Sequence, residues 1–177
     1  MSDADSQDLQ VAAARVFRPH DVDALARVLS DPETMRFYPA PLGIAGVEEW
    51  ILYNRKRYRD HGHGLWAMIL KSKGELVGDC GLTIQEVEGA NEIEIGYHVR
   101  RDLWGQGLAT EAACACRDFG FERLPVERLI SLIRPENLAS RRVAEKNGMT
   151  VWKEVMRRNL PHLVYAIRRK EANEGRK

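Results

Sequence analysis

The stretch Trp104-Gly105-Gln106-Gly107-Leu108-Ala109-Thr110-Glu111-Ala112 is the part of this chain best suited to chemistry. Two glycines followed by the small residues Ala109 and Thr110 let backbone approach a ligand closely. The segment follows a predicted strand and opens a predicted helix. The first N–H groups of a helix have no intrahelical partner, and the helix dipole favours an anion there. A pyrophosphate is the natural guest, and Thr110 adds a hydroxyl. The residues alone leave two readings open, an anion site or a glycine-rich helix cap. The pattern is no Walker loop, because it lacks Gly-x-x-x-x-Gly-Lys-Ser/Thr. It also lacks Gly-x-Gly-x-x-Gly, and no matching acid follows about 20 residues on, which argues against a dinucleotide fold.

The second group of candidates lies just upstream, in Glu92-Ile93-Glu94-Ile95-Gly96-Tyr97-His98-Val99. Read as a strand, it places Glu92 and Glu94 on one face and Ile93, Ile95 and Tyr97 on the other. Carboxylates so placed either take a proton from a substrate or are polar residues on a wet sheet face. His98 is a further candidate base. His61-Gly62-His63-Gly64 has two imidazoles but no acidic or Cys ligand close by, so no metal is expected. Cys80, Cys114 and Cys116 form no disulfide framework and read as small core residues.

These groups need elements to hold them. A first strand is predicted over Val11 to Phe17, then a helix from Asp21, its cap, to Ser30. Asp31-Pro32-Glu33 restarts a short turn, and Tyr38 to Pro41 is a loop. A helix over Val47 to Asp60 carries Arg55, Lys56, Arg57 and Arg59, either a solvated face or a substrate-steering patch. Strands follow at Leu65 to Leu70, Leu76 to Ile84 and Glu92 to Val99, with turns at Lys73-Gly74 and Glu88 to Asn91. A helix over Gly107 to Phe121, a strand over Arg128 to Ile133 and a helix from Asn137 or Ala139 to Asn147 come next. Two strands, Thr150 to Met156 and His162 to Ile167, flank a loop over Arg157 to Pro161. The stretch from Glu92 to Ile133 should pair two strands in parallel through a right-handed crossover. Residues 1–9 read as a disordered tail, residues 10–169 as a single domain, and residues 170–177 as a charged, frayed end.

With 177 residues, the chain is long enough to bury one substantial core. Its 27 Lys and Arg against 26 Asp and Glu give no basic excess for gripping nucleic acid. The polar N-terminus has no apolar signal region, and no apolar run approaches the ~18 residues of a membrane span. A soluble, cytoplasmic protein is expected.

Gly107-Leu108-Ala109 matches the end of the phosphate-loop pattern Gln/Arg-x-x-Gly-x-Gly/Ala, and here the chain resembles the GNAT superfamily of acetyl-CoA-dependent N-acetyltransferases. Trp104 fills the Gln/Arg slot, a departure. As Trp-Gly-x-Gly-x-Ala-Thr-Glu-Ala, that departure resembles the branch that acetylates ribosomal-protein N-termini, the RimJ/RimL-like group. The resemblance runs from about Val16 to Arg168, through Phe17-Arg18-Pro19, Ser30 to Met35 and Arg134 to Met149. It implies an α/β fold of the α+β kind. That fold is a mixed, mostly antiparallel twisted sheet of about six to seven strands, with a central splayed parallel pair and about four flanking helices.

The resemblance also implies roles. Trp104 to Thr110 would hold the pyrophosphate of acetyl-CoA, and the backbone of His98 and Val99 would pair with the pantetheine arm and polarise the acetyl carbonyl. Glu92 falls where some relatives place a general-base Glu, with Glu94 one pair nearer the centre. Relatives with a Tyr on the later helix use it toward the leaving thiol; here Ser140 is the hydroxyl, and Asn137 either bonds the pantetheine amide or caps the helix. The acceptor, a peptide N-terminus or a small amine, would meet Tyr38 to Ile44, the helix from Val47 and the Arg157 to Pro161 loop. Arg157 and Arg158 either meet an acidic acceptor or face water. A homodimer remains open beside a monomer. A catalytically inert acetyl-CoA-binding module is the alternative, and would bind the thioester without releasing thiol.

Overall fold

Alternation in the chain's apolar residues builds seven strands, and the computed structural model arranges them in the order β1-β2-β3-β4-β5-β7-β6. It describes residues 11–174; the tail expected over residues 1–9 lies outside these. The strands are β1 (Val11–Arg15), β2 (Leu65–Leu70), β3 (Glu75–Val87), β4 (Ala90–Val99), β5 (Arg128–Ile133), β6 (Thr150–Arg157) and β7 (Leu160–Arg168). β4 and β5 run parallel, in register at Glu94↔Ile130. The pairs β1–β2, β5–β7 and β6–β7 are antiparallel. The helices are α1 (Val22–Leu29), α2 (Ile44–His61), α3 (Leu108–Arg123), α4 (Leu138–Lys146) and α5 (Arg169–Glu174). This is a mixed sheet that contains a parallel pair, as the resemblance implied.

Two local predictions are corrected. Asp21 holds the N-cap position of α1 as expected, but its side chain makes no capping bond; its carboxylate turns back to accept two bonds from the Arg15 guanidinium, both 2.7 Å, and the Arg18 N–H at 2.7 Å. A buried carboxylate gains more from a bidentate charged donor than from one helix N–H. The expected Arg157 to Pro161 loop shrinks to Arg158 and Asn159, both left-handed with φ of 50° and 61°, so β6 and β7 lengthen toward each other. Glu88 and Gly89 make a similar two-residue turn between β3 and β4, with φ of 52° and 83°. Paired left-handed residues match the twist of the strands they join.

The last residue of the expected domain, Arg169, is tied down by its side chain. Arg169 begins α5 and donates to the carbonyls of Leu124 and Val126 at 2.8 Å each, and to that of Phe121. Three carbonyls left over at the end of α3 and just after it thereby find a cationic partner.

By its contacts the described chain gathers into two compact units. One holds the residues up to Cys80 with Tyr97–Ala112; the other holds Gly81–Gly96 and the residues from Ala113 onward. The core of the first joins Leu25, Val28 and Leu29 of α1 to Val47 and Ile51 of α2, with Phe17, Met35, Leu65, Ala67 and Leu76. Buried Asn54 ties α2 to the start of β2, its side chain accepting the Leu65 N–H at 2.8 Å and donating to the Trp50 carbonyl at 3.0 Å. In the second unit Val87, Ile130, Val155 and Val164 pack together across the sheet. Cys80 and Cys116 are buried and Cys114 half-buried, and none of the three forms a disulfide.

Candidate active site

In the first unit, the end of β4 leads through a tight turn at Arg101–Leu103 into the glycine loop and α3. Trp104, the departure from the phosphate-loop pattern, donates its indole N–H to the Val99 carbonyl at 2.7 Å. That bond clips the loop to the strand end. It engages the Val99 carbonyl, part of the backbone expected to pair with the pantetheine arm.

Gly105 and Gly107 hold φ of 77° and 84°. A Cβ at either would meet nothing within 4 Å, so the demand for glycine is one of backbone angle, and the space beside the loop is open. The Glu111 N–H bonds to the Gly107 carbonyl at 3.0 Å, which marks the first full turn of α3. The N–H groups of Gly107, Leu108, Ala109 and Thr110 therefore have no intrahelical partner. Trp104, Gly105, Gln106 and Gly107 are exposed, whereas Leu108 is buried and anchors the helix start. Open backbone amides at a dipole's positive end fit a diphosphate.

The same unit gathers four side chains that the sequence does not bring together. His98 Nδ1 lies 2.7 Å from Asp79 Oδ1, and its Nε2 lies 2.8 Å from the Tyr38 hydroxyl. The Trp50 indole N–H donates to Asp79 Oδ2 at 2.9 Å. The Tyr38 and Trp50 rings stand 5.1 and 5.9 Å from the imidazole. The sequence reading offered His98 both as a candidate base and through its backbone, placed Tyr38 in an acceptor loop, and passed over Asp79. One signal was present: an acid within Leu76-Val77-Gly78-Asp79-Cys80-Gly81-Leu82, a run suited to a fully buried strand. A charge there requires a partner.

In the second unit, Glu92 is buried and paired through both carboxylate oxygens with Arg128, whose Nε lies 3.0 Å away. The Arg128 guanidinium in turn covers the Trp152 ring at 4.1 Å. Glu94 accepts the Leu132 N–H at 3.2 Å and the Thr83 hydroxyl at 3.3 Å. Ser131 donates its hydroxyl to the Ile95 carbonyl at 2.8 Å. Beside the register point of the parallel pair, side chains thus serve main-chain groups of both strands. Burial pushes the Glu94 carboxyl above the usual range, against the pull of the Leu132 N–H and the Arg157 charge. Asn137 caps α4, accepting the Ser140 N–H at 3.1 Å, and Ser140 is half-buried in the first turn. Neither glutamate is an idle carboxylate: each has hydrogen-bond partners of its own.

Among the described residues no three His, Cys, Asp or Glu side chains gather to hold a metal ion, and the His61 and His63 rings lie 6.0 Å apart. No described helix is long and apolar enough to cross a membrane.

Residues 14–150 match the acetyltransferase (GNAT) domain family. The chain belongs to the GNAT acetyltransferase family. This GNAT chain is 38% identical over 138 residues to YkkB of Bacillus subtilis, called an uncharacterized protein, covering 78% of the chain and 80% of that relative. It is 28% identical over 141 residues to p20 of Bacillus licheniformis, called an uncharacterized N-acetyltransferase, covering 78% of each. Among solved structures, a GNAT-family acetyltransferase from Bacillus anthracis superposes with a TM-score of 0.75 at 24% identity, over 90% of this chain and 99% of that one. The GNAT chain is therefore an N-acetyltransferase by family, built on the family's fold.

Proposed function

We propose that this chain moves an acetyl group from acetyl-CoA to a primary amine by direct attack, with both substrates bound at once. The leading acceptor is a peptide N-terminal α-amine, the reading that Trp104-Gly105-Gln106-Gly107 and its RimJ/RimL-like resemblance support; a small-molecule amine is the second. The observation that carries the proposal is the pair of left-handed glycines, Gly105 and Gly107, with open space beside both, leading into a helix whose first amides lack intrahelical partners. There the main chain would bind the diphosphate of acetyl-CoA and direct the thioester toward the end of β4 that Trp104 clips. An acceptor α-amine, with pKa about 8, is mostly protonated at neutral pH and must lose a proton to attack.

The test is a panel of peptide α-amines, polyamines and aminoglycosides offered with acetyl-CoA, read as release of the CoA thiol. Thermal melts with acetyl-CoA run alongside. At 100 times its Kd, a ligand adds about 2.7 kcal/mol, and for a chain of this size that raises Tm by roughly 5–10 °C. Thiol release with α-amines ahead of small amines is expected. Absence of any acetyl-CoA-induced shift would defeat the proposal outright.

A further inference from the structure

We infer that Tyr38, His98 and Asp79 form the proton-accepting relay of the acetyl transfer, with the Tyr38 hydroxyl as the group that meets the incoming amine. The inference rests on the acetyl transfer proposed above and names the base which that proposal leaves open.

The three groups form a line from interior to surface: Asp79 is 0% exposed, His98 7% and Tyr38 46%. Asp79 is fully buried. Its Oδ1 faces the imidazole and its Oδ2 receives the Trp50 indole, so both oxygens are directed. A carboxylate so placed holds the hydrogen of His98 on Nδ1, which leaves Nε2 as the bare acceptor. The group facing Nε2 is the Tyr38 hydroxyl at 2.8 Å; with the ring hydrogen on Nδ1, the hydroxyl is the donor of that bond. A phenol whose proton already points at a neutral imidazole accepts a proton on oxygen while giving one up to nitrogen.

Three further observations favour this trio. Glu92 and Glu94, the carboxylates first expected as bases, are committed to Arg128 and to Leu132 with Thr83. His98 sits at the end of β4, one residue before the Val99 carbonyl that holds the glycine loop through Trp104. Gly78 on β3 lacks a side chain where the His98 carbonyl comes close, so the position of His98 is set by a tight backbone fit.

The chemistry balances without a further reagent. The ammonium proton is lost to water before attack; as the neutral amine nitrogen bonds to the acetyl carbon and the carbon–sulfur bond breaks, a second proton of that nitrogen passes to Tyr38 Oη. The proton of Tyr38 passes to His98 Nε2, and Asp79 holds the resulting imidazolium. The thiolate leaves and takes a proton from water, and the relay returns its own proton to water. Net, one amine hydrogen is exchanged for one thiol hydrogen.

The experiment has two arms on the full chain. In the first, histidine-selective 15N NMR at neutral pH reads the protonation of the imidazoles, with His98→Gln assigning the signal among five histidines. A neutral ring protonated on Nδ1 is expected. A ring protonated on Nε2, or on both nitrogens, overturns the relay whatever the acceptor. In the second, Tyr38→Phe and His98→Gln are assayed with the amine that gives the fastest thiol release. Removal of a general base costs about 10²–10⁴-fold, so kcat should fall by that much in both while KM for acetyl-CoA holds and His20→Gln stays at the wild-type rate. Tyr38→Phe with unchanged kcat and only a lower Tm would make the trio a latch on the Tyr38 segment and overturn the inference alone. A wild-type chain that binds acetyl-CoA but releases no thiol with any amine overturns the proposed acetyl transfer and the relay with it.

Discussion

The backbone carbonyl of His98 occupies the space that a Cβ on residue 78 would need, and the next nearest atoms are also backbone, the His98 carbonyl carbon at 3.1 Å and the Val99 Cα at 3.2 Å. Backbone on a paired strand cannot swing aside as a side-chain tip can. Gly78→Ala should therefore push the end of β4 off β3, with an overpacking cost of about 1–3 kcal/mol. Thermal melts should show a Tm drop of several degrees. Thiol release should fall with it, because the same strand end carries His98 and the Val99 clip.

Gly107 presents a different demand. Nothing crowds its missing side chain, but its φ of 84° is left-handed. Gly107→Ala should cost about 1–2 kcal/mol in that conformation and weaken acetyl-CoA binding by about 5–30-fold if the loop relaxes to escape it. Calorimetric titration measures this directly. Gly107→Asn should lose less than Gly107→Ala, since Asn tolerates that region better than other residues.

Glu92 is expected to matter for stability and not for turnover. Glu92→Gln leaves Arg128 with a neutral partner in a pair whose acid is nearly buried and whose base is partly exposed. The loss should be about 1–3 kcal/mol in chemical denaturation, with kcat within a factor of two or so of wild type. A collapse of kcat in a chain that melts normally would restore Glu92 as the base.

Glu94 gives a pH signature. Its carboxyl is pushed up by burial, so the folded chain binds that proton more tightly than the unfolded chain does. The stability it contributes is complete below the ordinary carboxylate range and declines as pH rises through the folded value. Glu94→Gln keeps an oxygen for the Leu132 N–H and removes the charge. Melts from about pH 4 to about pH 7, spanning the carboxylate range and neutrality, should show the variant flatter than wild type and higher in Tm at the neutral end. An unchanged pH profile would remove Glu94 from the account.

Arg57 on α2 is nearly buried, and among the described residues its Nε and Nη2 have no hydrogen-bond partner; its Nη1 reaches the Tyr53 hydroxyl at 3.0 Å. Buried, unpaired donors cost about 1–3 kcal/mol. Arg57→Met, which keeps length and apolar bulk, should raise Tm, as read by differential scanning calorimetry. The residue had been grouped with Arg55, Lys56 and Arg59 as one face of the helix, but a turn of 3.6 residues puts it beside Val47, Ile51 and Asn54 on the buried side.

What the sequence determined by itself was local. Left-handed glycines before a helix, Lys73-Gly74 and Glu88-Gly89 between alternating strands, and the stop at Gly148 depend on backbone angles that a few consecutive residues set. The parallel pairing of β4 with β5 was legible too, because a strand, a helix and a strand leave few ways to return to the sheet. Tertiary structure alone decided which charged groups are at liberty to react. Glu92 meets Arg128, Asp79 meets Trp50 and His98, and His98 meets Tyr38 across separations of 36, 29, 19 and 60 residues. Periodicity says which face a side chain takes, but not what stands opposite. A carboxylate becomes a base or a structural strut according to the donor that pairing of distant strands brings within about 3 Å.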